Sequence, residues 1–142
     1  MTSSRASITI DEAHAILEAN FADWVQDLDL TVVEAGPDHA VMRIAFSPKL
    51  CRVGGIVCGQ ALIAAADTAM VIALASAQGG MRPMTTVDLT INFMRPIRDE
   101  DVRLTAAVKR LGKTLAFCTT EVEGTAAGKL AAFATGTYAI LG

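Results

Sequence analysis

One carboxylate is the chemical anomaly of this chain. Gly59 to Ala77 is almost wholly alanine, leucine, isoleucine, valine and methionine, and Asp67 sits in its middle. At 3.6 residues per turn the segment makes about five turns of helix, apolar all round. A carboxylate there must be paired, protonated or used. A lysine or arginine from a neighbouring strand or subunit would make it a structural ion pair; otherwise it is a candidate for chemistry, because perturbed groups collect at functional sites. Gln60 lies seven residues earlier, about 700° around the helix, so both side chains project within about 20° of one direction. The stripe continues through Ala64, Val71 and Leu74. Taken alone, Gln60 reads as a first-turn residue meeting water or capping a loop.

Arg52-Val53-Gly54-Gly55-Ile56-Val57-Cys58-Gly59 leads into the helix. Glycines there let backbone approach a ligand where free amides and the positive dipole end converge. That is an oxyanion hole in outline, although a Gly-Gly pair also serves a plain tight turn. With a carboxylate two turns further on, the combination suggests acyl transfer: amide donors for the oxyanion and a carboxylate for the attacking side. Cys58 is a second candidate, since a helix N-terminus lowers a thiol's pKa; the alternative is a small buried structural residue. Only His14 and His39 could act as histidine bases, and neither lies in a nucleophile motif. No G-x-S-x-G, H-E-x-x-H, P-loop or dinucleotide fingerprint occurs.

The elements that would position these residues follow from periodicity. Thr9-Ile10-Asp11-Glu12 is a capping box, and Ala13, Ile16, Leu17, Phe21, Trp24, Val25 and Leu28 continue it as one apolar stripe, predicting a helix over about 9–28. Leu30 to Glu34 and Ala40 to Phe46 flank the turn formers Gly36, Pro37 and Asp38, predicting a hairpin. The central helix is expected at about 58–78. In Thr86 to Phe93, Val87, Leu89, Ile91 and Phe93 alternate with polar residues, predicting a strand with one buried face. Val102 to Lys109 and Thr114 to Glu123 form a second hairpin around Gly112, and Leu130 to Ile140 a last strand.

The 142 residues fit one domain, 1–142, with no repeat or linker dividing them. With 52% hydrophobic and 19% charged residues the chain is not disordered. A net charge of −3 lacks the basic excess of a nucleic-acid binder. Cys51, Cys58 and Cys118 form an odd, scattered set, so neither a disulfide framework nor a metal site is expected, and Met1 to Arg5 leads into no apolar signal segment. These features predict a cytoplasmic protein. The central helix is expected to be a core helix rather than a membrane span, since a central aspartate costs a span about 2.5 to 3.5 kcal/mol.

The run GGIVCGQALIAAADTAM is similar to the G-x-x-H-G-G-x-x-x-x-x-x-D-[TNS] signature of the PaaI-type hotdog-fold acyl-CoA thioesterases. TTVDLTINFMRPI resembles that family's strand after the helix, LGKTLAF its central hairpin and GKLAAFATGTY its closing strand. The resemblance implies an α+β hotdog fold, a curved antiparallel sheet wrapped around one long central helix. It implies homodimers joined edge to edge, or dimers of dimers (homotetramers), with sites at the shared interface.

On this resemblance the function is hydrolysis of an acyl-CoA thioester by a thioester hydrolase. Asp67 takes the place of the catalytic carboxylate, as general base or nucleophile, and Gly59 that of the residue whose backbone N–H polarises the carbonyl. Thr86, from the opposite subunit, takes the place of a hydroxyl residue that helps hold the water; the alternative is a solvent-facing strand threonine. Arg52, Cys58, Gln60, Thr68, Arg95, Arg110 and Lys113 are the candidate substrate contacts. Cys58 replaces the signature histidine, Gln60 the second glycine, and Arg52 an asparagine that assists catalysis in several members. The basic residues would meet the phosphates of coenzyme A or are solvated strand-edge charge. No metal or cofactor is implied beyond the CoA thioester substrate, and no nucleic-acid or membrane partner. The alternative function is a hotdog protein that binds an acyl-CoA or acyl-carrier thioester without cleaving it; hydratase chemistry would need a histidine near Asp67.

Overall fold

A computed structural model describes residues 6–142; the signal-segment reading of residues 1–5 lies outside the described residues. In chain order the elements are α1 (Ile10–Asn20), α2 (Asp23–Gln26), β1 (Thr31–Ala35), β2 (His39–Ile44), β3 (Cys51–Arg52), β4 (Ile56–Val57), α3 (Gly59–Ala77), β5 (Met84–Phe93), β6 (Val102–Leu111), β7 (Leu115–Gly124) and β8 (Leu130–Ile140). Six strands form one sheet in the order β1-β2-β6-β7-β8-β5, all neighbours antiparallel.

The sheet and α3 make the core together. Leu104 and Ala106 of β6, Ala116, Cys118 and Val122 of β7, and Ala132, Ala134 and Tyr138 of β8 are buried on the helix side, as are most residues of α3. The alanines that blur the alternation of β8 are the ones that leave room for α3. Its mean hydropathy of 1.6 and 19 residues would suffice to cross a membrane, but 72% of that stretch is buried inside the fold, which accounts for the apolar composition.

The expected helix over 9–28 is two pieces. Thr9 caps α1 as foreseen: its hydroxyl accepts from the Glu12 amide at 3.0 Å, and the Glu12 carboxylate accepts from the Thr9 amide at 2.9 Å. At the other end the Asn20 side chain donates to the Ile16 carbonyl and the Gln26 side chain to the carbonyls of Leu17 and Phe21. Side-chain amides therefore satisfy last-turn carbonyls, Phe21 becomes extended (φ −110°, ψ 148°), and the chain turns before α2. Trp24, expected on the buried stripe, is 59% exposed as a result.

The Gly54-Gly55 pair makes the turn between β3 and β4, with φ of +95° and +74°. Both angles lie where glycine is favoured. These two-residue strands were not anticipated.

β5 also departs from its expected pattern. Thr86 pairs with Tyr138 and Asp88 with Thr137, leaving Val87 as an inserted bulge residue. Simple alternation from Leu89, Ile91 and Phe93 would turn Val87 inward and Thr86 outward. The bulge reverses this: Thr86 shares the helix-facing side with its partner Tyr138, and Val87 is 58% exposed. β5 lies at the sheet edge, where α3 covers it little, so Phe93 remains 50% exposed although it points to the helix side.

Candidate active site

Asp67 has no cation partner among the described residues of its own chain, so no ion pair within the chain accounts for its burial. It is half-buried and accepts from two hydroxyls instead: Tyr138 Oη at 2.7 Å and Thr86 Oγ1 at 3.3 Å, both at Oδ1. Thr86 reaches Asp67 of its own chain, whereas the resemblance implied a threonine supplied by the opposite subunit. The reason is the β5 bulge, which turns its side chain towards α3. Thr86 is exposed as well as bonded to Asp67.

Tyr138 was read from the sequence only as one of the alternating residues of the last strand. It is fully buried, and a buried phenol ordinarily finds a hydrogen-bond partner. That was the available signal, but nothing local linked it to a carboxylate 71 residues away. Burial first, then the neighbouring Asp67 charge and hydrogen bond, push its hydroxyl pKa well above the ordinary value, so it stays protonated and donates.

One side of α3 opens on a cavity of about 370 Å³ lined by Gln60, Ile63, Ala64, Asp67 and Thr68 on the helix, by Phe21 from the turn after α1 and by Trp24 and Val25 of α2. The Gln60–Ala64–Asp67 stripe is thus real, and it faces a mostly apolar wall. Leu74, also expected on it, is fully buried. Thr68 lines the cavity, but its hydroxyl donates to the Ala64 carbonyl at 2.8 Å within the helix.

A second cavity, about 440 Å³, lies at the start of α3 and gathers Arg52, Gly59, Leu62, Phe93, Arg95 and Ile97. Cys58 is the N-cap of α3, yet its side chain makes no capping bond, so its thiol claims none of the first-turn amides. A Cβ at Gly59 would stand 3.3 Å from Cζ of Phe93. Arg110 and Lys113 line neither cavity; they lie beside the β6–β7 turn.

The amide of Gly59 and the carboxylate of Asp67 do not meet within one chain. Eight residues at 1.5 Å each separate them by about 12 Å along the helix. An oxyanion donor must stand about 3 Å from the reacting oxygen.

No histidine base serves Cys58. His14 bridges α1 and β1, with Nδ1 against the Ile10 carbonyl and Nε2 accepting from the Val32 amide, each at 3.1 Å. His39 is bound to Glu34 and Asp38 in the β1–β2 hairpin. Cys118 is buried, which pushes its thiol up to about 12 and leaves it inert.

An antiparallel six-stranded sheet packed on one long central helix is the hotdog thioesterase fold. Residues 54–127, just over half of the chain, match the thioesterase superfamily, and the chain belongs to that family. Human acyl-coenzyme A thioesterase 13 is 31% identical over 104 residues, covering 72% of this chain and 74% of that protein. Among solved structures, zebrafish thioesterase superfamily member 2 is similar with a TM-score of 0.81 and 27% identity, covering 95% of this chain and 100% of that one. The Escherichia coli PaaI protein from the phenylacetic acid degradation operon shares the fold, with a TM-score of 0.80 and 22% identity, covering 93% of this chain and 92% of that one. The PaaI-type resemblance implied the same fold and family.

Proposed function

We propose that the protein hydrolyses an acyl-CoA thioester to the free acid and coenzyme A, at sites shared by two copies of the chain. The observation that carries this reading is Asp67 itself: a carboxylate without a cation partner among the described residues, steadied by hydroxyls at one oxygen and opening on an apolar cavity. Acyl-CoA thioesterase 13 among the relatives points to the substrate class.

In this reading a second chain spans the roughly 12 Å between Gly59 and Asp67, and β5 supplies the means. It is a ten-residue edge strand with one side unpaired. At one end Thr86 touches Asp67; at the other Phe93 lies against Gly59. Antiparallel self-pairing of β5 about its middle sets the Thr86 end of one copy beside the Phe93 end of the other. Gly59 of one chain then faces Asp67 of its partner, twice per homodimer.

In such a site the acyl group lies in the cavity walled by Phe21, Trp24 and Val25. The CoA arm leaves past Gly59, with Arg52 and Arg95 at hand for its phosphates. Asp67 takes a proton from water as the water attacks the carbonyl carbon, and the Gly59 N–H stabilises the oxyanion. Collapse of the tetrahedral intermediate breaks the C–S bond, and the proton passes to the departing sulfur. Attack by Asp67 itself would form an acyl-enzyme anhydride for water to cleave.

Release of free thiol from a panel of aromatic, short and long acyl-CoAs tests the reading. The expected result is turnover of at least one class, with Asp67→Asn reducing it about 100-fold or more while the fold persists. An intact panel would sink hydrolysis. Thermal stabilisation by acyl-CoA without turnover, unchanged in Asp67→Asn, would favour a binding protein instead.

A further inference from the structure

We propose that Tyr138 is a positioning residue of this reaction: with Thr86 it fixes Oδ1 of Asp67, so that Oδ2 is the oxygen presented to the substrate or its water. The inference rests on the hydrolytic reading and goes beyond it in assigning the two oxygens different tasks.

Both hydroxyls converge on Oδ1, and no donor among the described residues reaches Oδ2. The convergence is built by the sheet. Tyr138 and Thr86 are directly opposite each other on β8 and β5, on the side facing α3, and the bulge at Val87 is what brings Thr86 to that side. A carboxylate's own torsion is broad and two-fold, so an unrestrained Asp67 would exchange its oxygens and sample many orientations. Two donors on one oxygen remove that freedom, and a base held in one orientation loses less in reaching the reactive geometry.

The Tyr138 ring is itself held. It is fully buried, and a Cβ added at Gly136 would come 2.8 Å from its Cε2 and 3.0 Å from Sδ and Cε of Met70. Only glycine at 136 leaves the ring and Met70 where they are. Because the hydroxyl's pKa is raised by burial and by Asp67, Tyr138 acts as a donor and not as a second base.

The test uses the full-length protein. Tyr138→Phe removes one oxygen and keeps the ring; kcat should fall about tenfold, KM should stay within about twofold, and the melting temperature should change by only a few degrees. Unchanged kcat, or a rise in KM alone, overturns the proposal. Should Tyr138→Phe not fold, fluorotyrosine replaces it, because Tyr138 is the only tyrosine in the chain and biosynthetic incorporation labels it alone. The single fluorine resonance should move when Asp67→Asn is introduced, and kcat should change with the acidity of the phenol at constant KM. A resonance indifferent to Asp67, or a kcat indifferent to fluorination, overturns it equally. If the unsubstituted protein cleaves no acyl-CoA, the hydrolytic reading falls and takes this one with it. If it cleaves and Tyr138→Phe cleaves as well, only the assignment of Tyr138 falls.

Discussion

Asp67 accepts from two neutral hydroxyls, with no guanidinium among its partners in the described residues. Asp101 differs: the Phe46 amide at 2.7 Å and then Arg43 at 2.8 Å hold its pKa below the usual carboxylate range. His39 shows the converse. Hydrogen bonds to Glu34 and then Asp38 raise its pKa above the ordinary 6.5. Its contribution to stability is therefore full below about 6.5 and is lost as pH rises through the raised folded-state value. His39→Gln should cost more stability at about pH 5 than at about pH 9, measured by urea unfolding at each. A difference independent of pH would contradict the pairing. Asp67 and Gln60 were legible as neighbours because helical angle follows from residue number. Tyr138 was not, because its partner is set by sheet packing across 71 residues.

The α1–α2 break matters more for the candidate site than either helix does. An unbroken helix would have carried Trp24 onto the core stripe; the turn after Asn20 moves it to the cavity beside Asp67. Trp24→Ala removes a large apolar wall, part of which a bulky acyl group would cover. It should lower kcat/KM for aryl or medium-chain acyl-CoAs about tenfold, with short acyl groups changed little. The acyl-CoA panel repeated on the variant checks this, and an equal loss on every substrate would contradict an acyl-binding role. Capping signals, the central helix and all six sheet strands were readable in place, because side-chain periodicity reports burial directly. The β5 bulge was not readable: one inserted residue reverses a face without altering the composition of the strand. The same is true of Phe21, whose turn depends on where Asn20 and Gln26 send their amides.

Taken as a whole molecule, one chain holds the two halves of the proposed site at the ends of a single edge strand. Asp67, Thr86 and Tyr138 gather at one end; Gly59, Arg52 and Phe93 gather at the other. The sequence placed Gly59 and Asp67 in one helix and suggested a joint task, which in the proposed homodimer is performed across a two-fold axis. Complementation measures this directly. Asp67→Asn lacks the base, and Gly59→Val keeps its N–H but fills the approach beside Phe93. Each variant alone should be close to inactive as a homodimer. After subunit exchange in an equimolar mixture, half of the dimers are hybrids and each hybrid has one intact site, so about a quarter of the unsubstituted protein's thiol release should return. A mixture that stays as inactive as its parents, with hybrids demonstrably formed, would contradict a site shared between chains.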